Sequence, residues 1–132
     1  MATLITDAEL NALADFEAAR ITYLSLHTST PGVTGANEAT GGTPSYARKP
    51  VTFTAGGDEG VLGSDLQPAT AGVAWSDEVT FDVPAGTYSH WGAWSAIAGT
   101  YRLGNVILPS SQVPATQVQI KHSIGVGPFS GA

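Results

Sequence analysis

The chain has no cysteine. Disulfides, thiolate catalysis and cysteine metal sites are therefore excluded, and the fold must hold by packing, backbone pairing or oligomerisation. Charge is also scarce. Asp, Glu, Lys and Arg make up 12% of 132 residues, about half the usual share, and Gly, Ser, Thr and Ala take their place. That composition suits a rigid β-rich module whose surface is low in side-chain entropy and able to pack against neighbours. Basic residues are the rarest: five (Arg20, Arg48, Lys49, Arg102, Lys121) against eleven acidic ones, a net charge of −6. They form no run beyond one pair, so nucleic acid and anionic membrane surfaces are excluded as partners, since both are held mainly by Lys and Arg. No apolar run approaches the roughly 20 residues needed to span a bilayer. The opening "MATLITDAEL" lacks the basic start and apolar core of a signal peptide, which predicts synthesis in a cytoplasm.

What is present is enough for one core. Hydrophobic residues reach 42%, and the length predicts a single domain over 1–132, with a helix at about 7–19 and a β domain at about 20–127. The helix is announced by Thr6 as N-cap with Glu9 three residues on, a capping box. Ile5 and Leu10 fit a hydrophobic staple. Leu10, Leu13 and Phe16, with Ala14, form the expected apolar stripe, while Asn11, Asp15 and Glu17 lie mainly elsewhere.

After the helix the period drops from about 3.6 to 2. "RITYLSLH" is apolar on both sides, which predicts one face on the core and the other on a second surface. "YARKPVTFTA" is a second strand, placed at an edge or interrupted, because Pro50 cannot donate a ladder hydrogen bond. "GVAWSDEVTFDVPAG" alternates most clearly, with a bulge or bend near Ser76–Asp77. "TYSHWGAWSAI", "GTYRLGNVIL" and "TQVQIKHSIGV" follow, separated by Gly and Pro turns. Without βαβ alternation, the expected class is mainly β: an antiparallel β-sandwich or jelly-roll-like barrel preceded by one N-terminal α-helix.

Local motifs for chemistry are few. His27, His90 and His122 fall in separate strands. Three histidines could bind zinc, but no short ligand spacing marks them, and the ordinary reading is three unrelated polar or partly buried side chains. Asp58, Glu59 and Asp65 sit among glycines without the EF-hand spacing, which reads as a solvated loop. No G-x-S-x-G, P-loop or dinucleotide fingerprint occurs. No cofactor and no enzymatic activity are expected. Aromatics are a better signal. Trp91 and Trp94 have opposite parity in one strand, so one fills the core and the other must find a second surface: the helix, a subunit interface or a ligand such as a sugar. The other conspicuous feature is Leu26–Gly42, "LHTSTPGVTGANEATGG", a polar loop longer than the roughly 12–15 residues that a compact domain usually leaves unstructured.

These segments carry a resemblance. Leu26–Thr28, Pro31–Gly32, Gly35–Glu38, Gly41–Gly42, Tyr46–Arg48, Val83–Gly86 and Gly92–Ser95 resemble, over Tyr23 to Ser95, a group of small virion structural proteins of tailed phages, especially those infecting actinobacteria. Members are described variously as head decoration, minor tail or fibre-like proteins. The resemblance implies a non-enzymatic virion protein. Its first implied reading is head decoration on the outer surface of the capsid. There the partners are the major capsid protein and further copies of the chain, a homotrimer being a common solution, and the subunit stabilises the head. Its second is a minor tail or tail-fibre component that binds the host surface or carbohydrate. The expected interface residues are Leu26, His27, Thr28, Pro31, Gly32, Gly35, Asn37, Glu38, Tyr46, Arg48, Trp91 and Trp94. In this reading the loop is an arm ordered by contact with an adjacent subunit. Deleting Thr34–Thr40 is then expected to abolish assembly and leave the isolated domain folded.

Overall fold

Thr6 caps the helix as the sequence predicts: its hydroxyl accepts the Glu9 amide at 3.2 Å and α1 runs Asp7–Ala19. The computed structural model describes residues 4–62, 65–107 and 110–127. The face that α1 buries is not the expected stripe. Ala14 and Ala18 are buried, whereas Leu13 is 37% and Phe16 62% exposed. Small side chains let the helix lie close against Ala74 and Phe53, and dispersion rewards that close approach. The polar residues beside them are also used. Asp15 accepts the Gly56 amide at 2.6 Å and Asn11 the Gly72 amide at 2.7 Å, so the inward face is set partly by hydrogen bonds that an apolar periodicity does not register.

The strands are β1 (Tyr23–His27), β2 (Lys49–Pro50), β3 (Gly60–Leu62), β4 (Asp65–Gln67), β5 (Ala74–Trp75), β6 (Val79–Val83), β7 (His90–Trp94), β8 (Tyr101–Val106), β9 (Val118–His122) and β10 (Gly125–Val126). They fall into two compact units interleaved along the chain. One holds the residues up to Arg20, Val51–Glu78 and those from His122 on. In it β3 pairs with β4 and β5 with β10, both antiparallel. Gly60 and Gly125 both press on Trp75, where any added Cβ would collide with the indole.

The other unit spans Ile21–Pro50 and Val79–Lys121. Its sheet has the order β2-β1-β7-β8, and β6 pairs with β9. The two-residue β2 lies at the sheet edge, where Pro50 is harmless. In β1 and β7 four consecutive residues are buried, so both faces of the central strands are covered. Along β6, Val79, Phe81 and Val83 are buried while Thr80 and Asp82 are half-buried, the alternation read from the sequence. The long apolar run through Trp75 does break where expected. Ser76 leaves the strand, accepts the Ile124 amide at 2.8 Å and bridges Phe53, and β6 begins at Val79 in the other unit. The last run divides likewise, between β9 and β10.

The class is mainly β, antiparallel, with one N-terminal helix, as expected. The barrel alternative is corrected: among the described residues the sheets stay open and no barrel closes.

Candidate functional site

The loop that follows β1 is a folded object. The Thr28 amide donates to the Asn37 carbonyl and the Ala39 amide to the Leu26 carbonyl, both at 2.9 Å, so the two limbs of the loop pair antiparallel at its base. Inside it, the Gly35 and Ala36 amides both donate to the Pro31 carbonyl, at 3.0 and 3.1 Å. Asn37 takes a left-handed φ of 62°, a conformation that Asn tolerates better than most residues. Its side-chain amide donates to the Thr30 carbonyl at 2.9 Å. These bonds supply partners that a structureless loop would lack.

Glu38 anchors the far limb. Its carboxylate accepts Arg48 Nε and Nη2, each at 2.9 Å, and the Tyr46 hydroxyl at 2.9 Å. That is a bidentate, charge-assisted pair. Arg48 also donates through Nη1 to the Ile97 carbonyl at 3.0 Å, and its guanidinium lies 3.3 Å over the Trp94 ring. The Tyr46 oxygen accepts the Leu26 amide at 3.1 Å, and its ring stacks on Phe81 at 6.2 Å. Burial would raise the Glu38 pKa, but the hydrogen bonds from Arg48 and Tyr46 outweigh it and hold the carboxyl below its usual value. Burial first, and then the Glu38 charge, push the Tyr46 phenol up.

Beneath this pair runs a buried chain of hydrogen bonds. Trp94 Nε1 donates to Ser25 Oγ at 2.8 Å, Ser25 Oγ meets His27 Nε2 at 2.7 Å, and His27 Nδ1 meets the Ala36 carbonyl at 2.7 Å. A carbonyl only accepts, so Nδ1 carries the ring proton, and Nε2 accepts from the serine. Each side-chain nitrogen and oxygen of Trp94, Ser25 and His27 thus has a partner. Burial lowers the His27 pKa against the opposing pulls of the Ala36 carbonyl and Glu38, which favours that neutral ring. Ser25 and His27 have the spacing of a nucleophile and its base, yet both are 0% exposed. Nδ1 faces a carbonyl rather than a carboxylate. The arrangement holds the loop to the sheet.

Glycines make the fit. A Cβ on Gly35 would stand 2.7 Å from Trp94 Cη2, and the residue's φ is +77°. A Cβ on Gly92 would stand 2.6 Å from both His27 Nε2 and Ser25 Oγ. The Tyr101 ring meets Trp94 edge-on at 5.2 Å, and its hydroxyl donates to the Gly32 carbonyl at 3.2 Å.

Of the residues expected at an interface, Glu38, Tyr46, Arg48 and Trp94 form one cluster, with the Leu26 amide bonded to Tyr46 and Gly35 packed on Trp94. Leu26, His27, Pro31, Trp91 and Trp94 are buried; Gly35, Glu38, Tyr46 and Arg48 are half-buried; Thr28, Gly32 and Asn37 are exposed. The second surface that one tryptophan needed is supplied from within the chain, by Arg48, Tyr101 and the loop over Trp94. Trp91 lies in register with Leu26 and is buried too. The contacts that order the loop here are made within one chain. Removing Thr34–Thr40 takes Gly35, Ala36 and Glu38 away from Trp94, His27 and Arg48, so the deletion is expected to loosen this unit as well. Reasoning from the sequence missed Ser25 and Tyr101. Ser25 did leave a signal: a lone hydroxyl between Leu24 and Leu26, in a strand apolar on both sides, demands a buried partner.

His27 and His90 are register partners across β1 and β7, while His122 belongs to the other unit. Among the described residues no group of three His, Asp or Glu is placed to hold a metal ion. No helix among them is long and apolar enough to cross a membrane.

A family model described as podophage GP4 fiber I protein gp80 matches residues 1–122. No curated protein matches the chain. The family match covers nearly all of the chain, which belongs to this family of phage virion structural proteins.

Proposed function

We propose that this member of the podophage fibre family is a non-enzymatic structural component of the fibre, on the tail side of the virion. The observation that carries the reading is the family match over residues 1–122 to a protein described as a fibre protein. It favours the second of the two readings drawn from the sequence over head decoration. The side-chain chemistry supports a structural role. The Ser–His pair, the carboxylate–guanidinium pair and the tryptophan are used to lock a surface loop, which then presents Thr28–Thr30 and Gly32–Thr34 to solvent on a rigid base. Val33, at 94% exposure, stands at its tip. Rigid presentation lowers the entropy lost when such a loop meets a partner.

Cryo-electron microscopy of virions with and without the gene tests this. Density lost from the tail fibres is the expected result. Density lost from regular positions on the capsid lattice would overturn it in favour of head decoration, with the major capsid protein as neighbour. Release of sugar from host polysaccharide by the purified chain would overturn the non-enzymatic part.

A further inference from the structure

The unit that contains α1 carries a groove that the loop network does not touch. Its volume is about 610 Å³, within the range of ligand sites, and its wall is mainly apolar. Phe53 and Leu66 form that wall, and Leu66 is 71% exposed, a large apolar side chain left in water. Glu59, Asp77 and Glu78 also line it, and among the described residues no Lys or Arg does. All three carboxylate residues are exposed. Asp77 is partly committed, since its Oδ1 accepts the Thr52 amide at 3.0 Å. An apolar wall with a one-signed acidic edge complements an apolar side chain flanked by cations.

We propose that this groove binds a segment of another protein that carries a leucine-like side chain flanked by Lys or Arg. A second copy is the weaker fit on charge. The chain is −6 overall with only five basic residues, and Arg48 is already held by Glu38. The site does not depend on where in the virion the chain sits, because binding is measured on the purified protein.

The test is fluorescence anisotropy on the full chain, with a labelled octapeptide of alternating Leu and Lys as probe. An alternating Leu and Glu peptide and a neutral chito-oligosaccharide are the comparisons. Saturable binding of the Leu–Lys peptide at low salt is expected, falling as salt rises because exposed charges are screened. Glu59→Gln with Glu78→Gln should weaken it about fivefold, the scale of two exposed ion pairs. Leu66→Ser should weaken it about tenfold through lost apolar burial. Asp7→Asn with Glu9→Gln, which removes two charges outside the groove, should leave it unchanged. The salt dependence needs no variant, so the proposal can fail even where a variant does not fold. It is overturned by no saturable binding at millimolar peptide, by equal loss in the control pair, or by equal binding of the Leu–Glu peptide. Binding of the oligosaccharide alone overturns it too, as does self-association that Leu66→Ser abolishes, which would make a second copy the occupant.

Discussion

Replacing Glu38 with Ala should unlock the loop, and the size of the effect can be worked from its surroundings. The carboxylate accepts three short hydrogen bonds, two from Arg48 and one from Tyr46. The side chains of the ion pair are 19% (Arg48) and 22% (Glu38) exposed. Fully exposed pairs contribute about 0.2–1 kcal/mol, whereas breaking a buried pair costs about 3–5 kcal/mol, because a charge is left stranded. This pair lies between those limits. Arg48 would keep the Ile97 carbonyl and the Trp94 face, so the loss should be about 2–3 kcal/mol. Urea unfolding measures it. Amide exchange locates it, since the Thr28 and Ala39 amides that close the base of the loop should exchange faster. Arg48→Lys keeps the charge but loses the fork, and should give about half the effect. A loss below about 0.5 kcal/mol, with unchanged exchange at Thr28 and Ala39, would refute the view that this pair holds the loop.

Gly35→Ala meets both a positive φ and Trp94, and should destabilise by about 2–4 kcal/mol. Gly41→Ala has a similar φ of +83° but open space around its Cβ, so only about 1 kcal/mol should be lost; equal effects in thermal melts would remove the Trp94 contact from the explanation. Ser25→Ala leaves Trp94 Nε1 and His27 Nε2 buried without partners, a loss of about 2–4 kcal/mol in urea unfolding. Stability should also fall in acid. Burial pushes His122 from 6.5 down to about 4, so the unfolded chain binds the proton first, and this stabilisation is complete above pH 6.5 and lost as the pH falls toward 4. Its size is about 3 kcal/mol, and His122→Leu should flatten that part of the pH profile. His27 acts in the same direction, and the depressed Glu38 adds to the loss at still lower pH. A profile flat from pH 7 to 4 would contradict both histidine contributions.

How much of this was legible follows from the range of the interactions involved. The helix limits were readable because a capping box is local: Thr6 and Glu9 are three residues apart. The edge position of Lys49–Pro50 was readable because proline lacks a donor wherever it sits. The inward face of α1 was not, because Ala14 and Ala18 win by close approach to Ala74, some 60 residues away, and Asn11 and Asp15 by bonds to the amides of Gly72 and Gly56. The motif residues from Gly35 to Glu38, from Tyr46 to Arg48 and from Gly92 to Ser95 stood out in the sequence, but not their purpose.

By itself, then, the sequence determined the class: a cysteine-free, acidic, antiparallel β protein with one capped helix, of phage virion type. Composition and short-range periodicity carry the fold class, and only the likeness of its motifs to a family carries the virion type. Only the tertiary structure decided that the long polar loop closes on its own sheet. Pairing Glu38 with Arg48, Trp94 with Ser25 and Gly35 with Trp94 joins strands and loops up to 69 residues apart, and hydrogen-bond geometry over such separations exists only once the chain has folded.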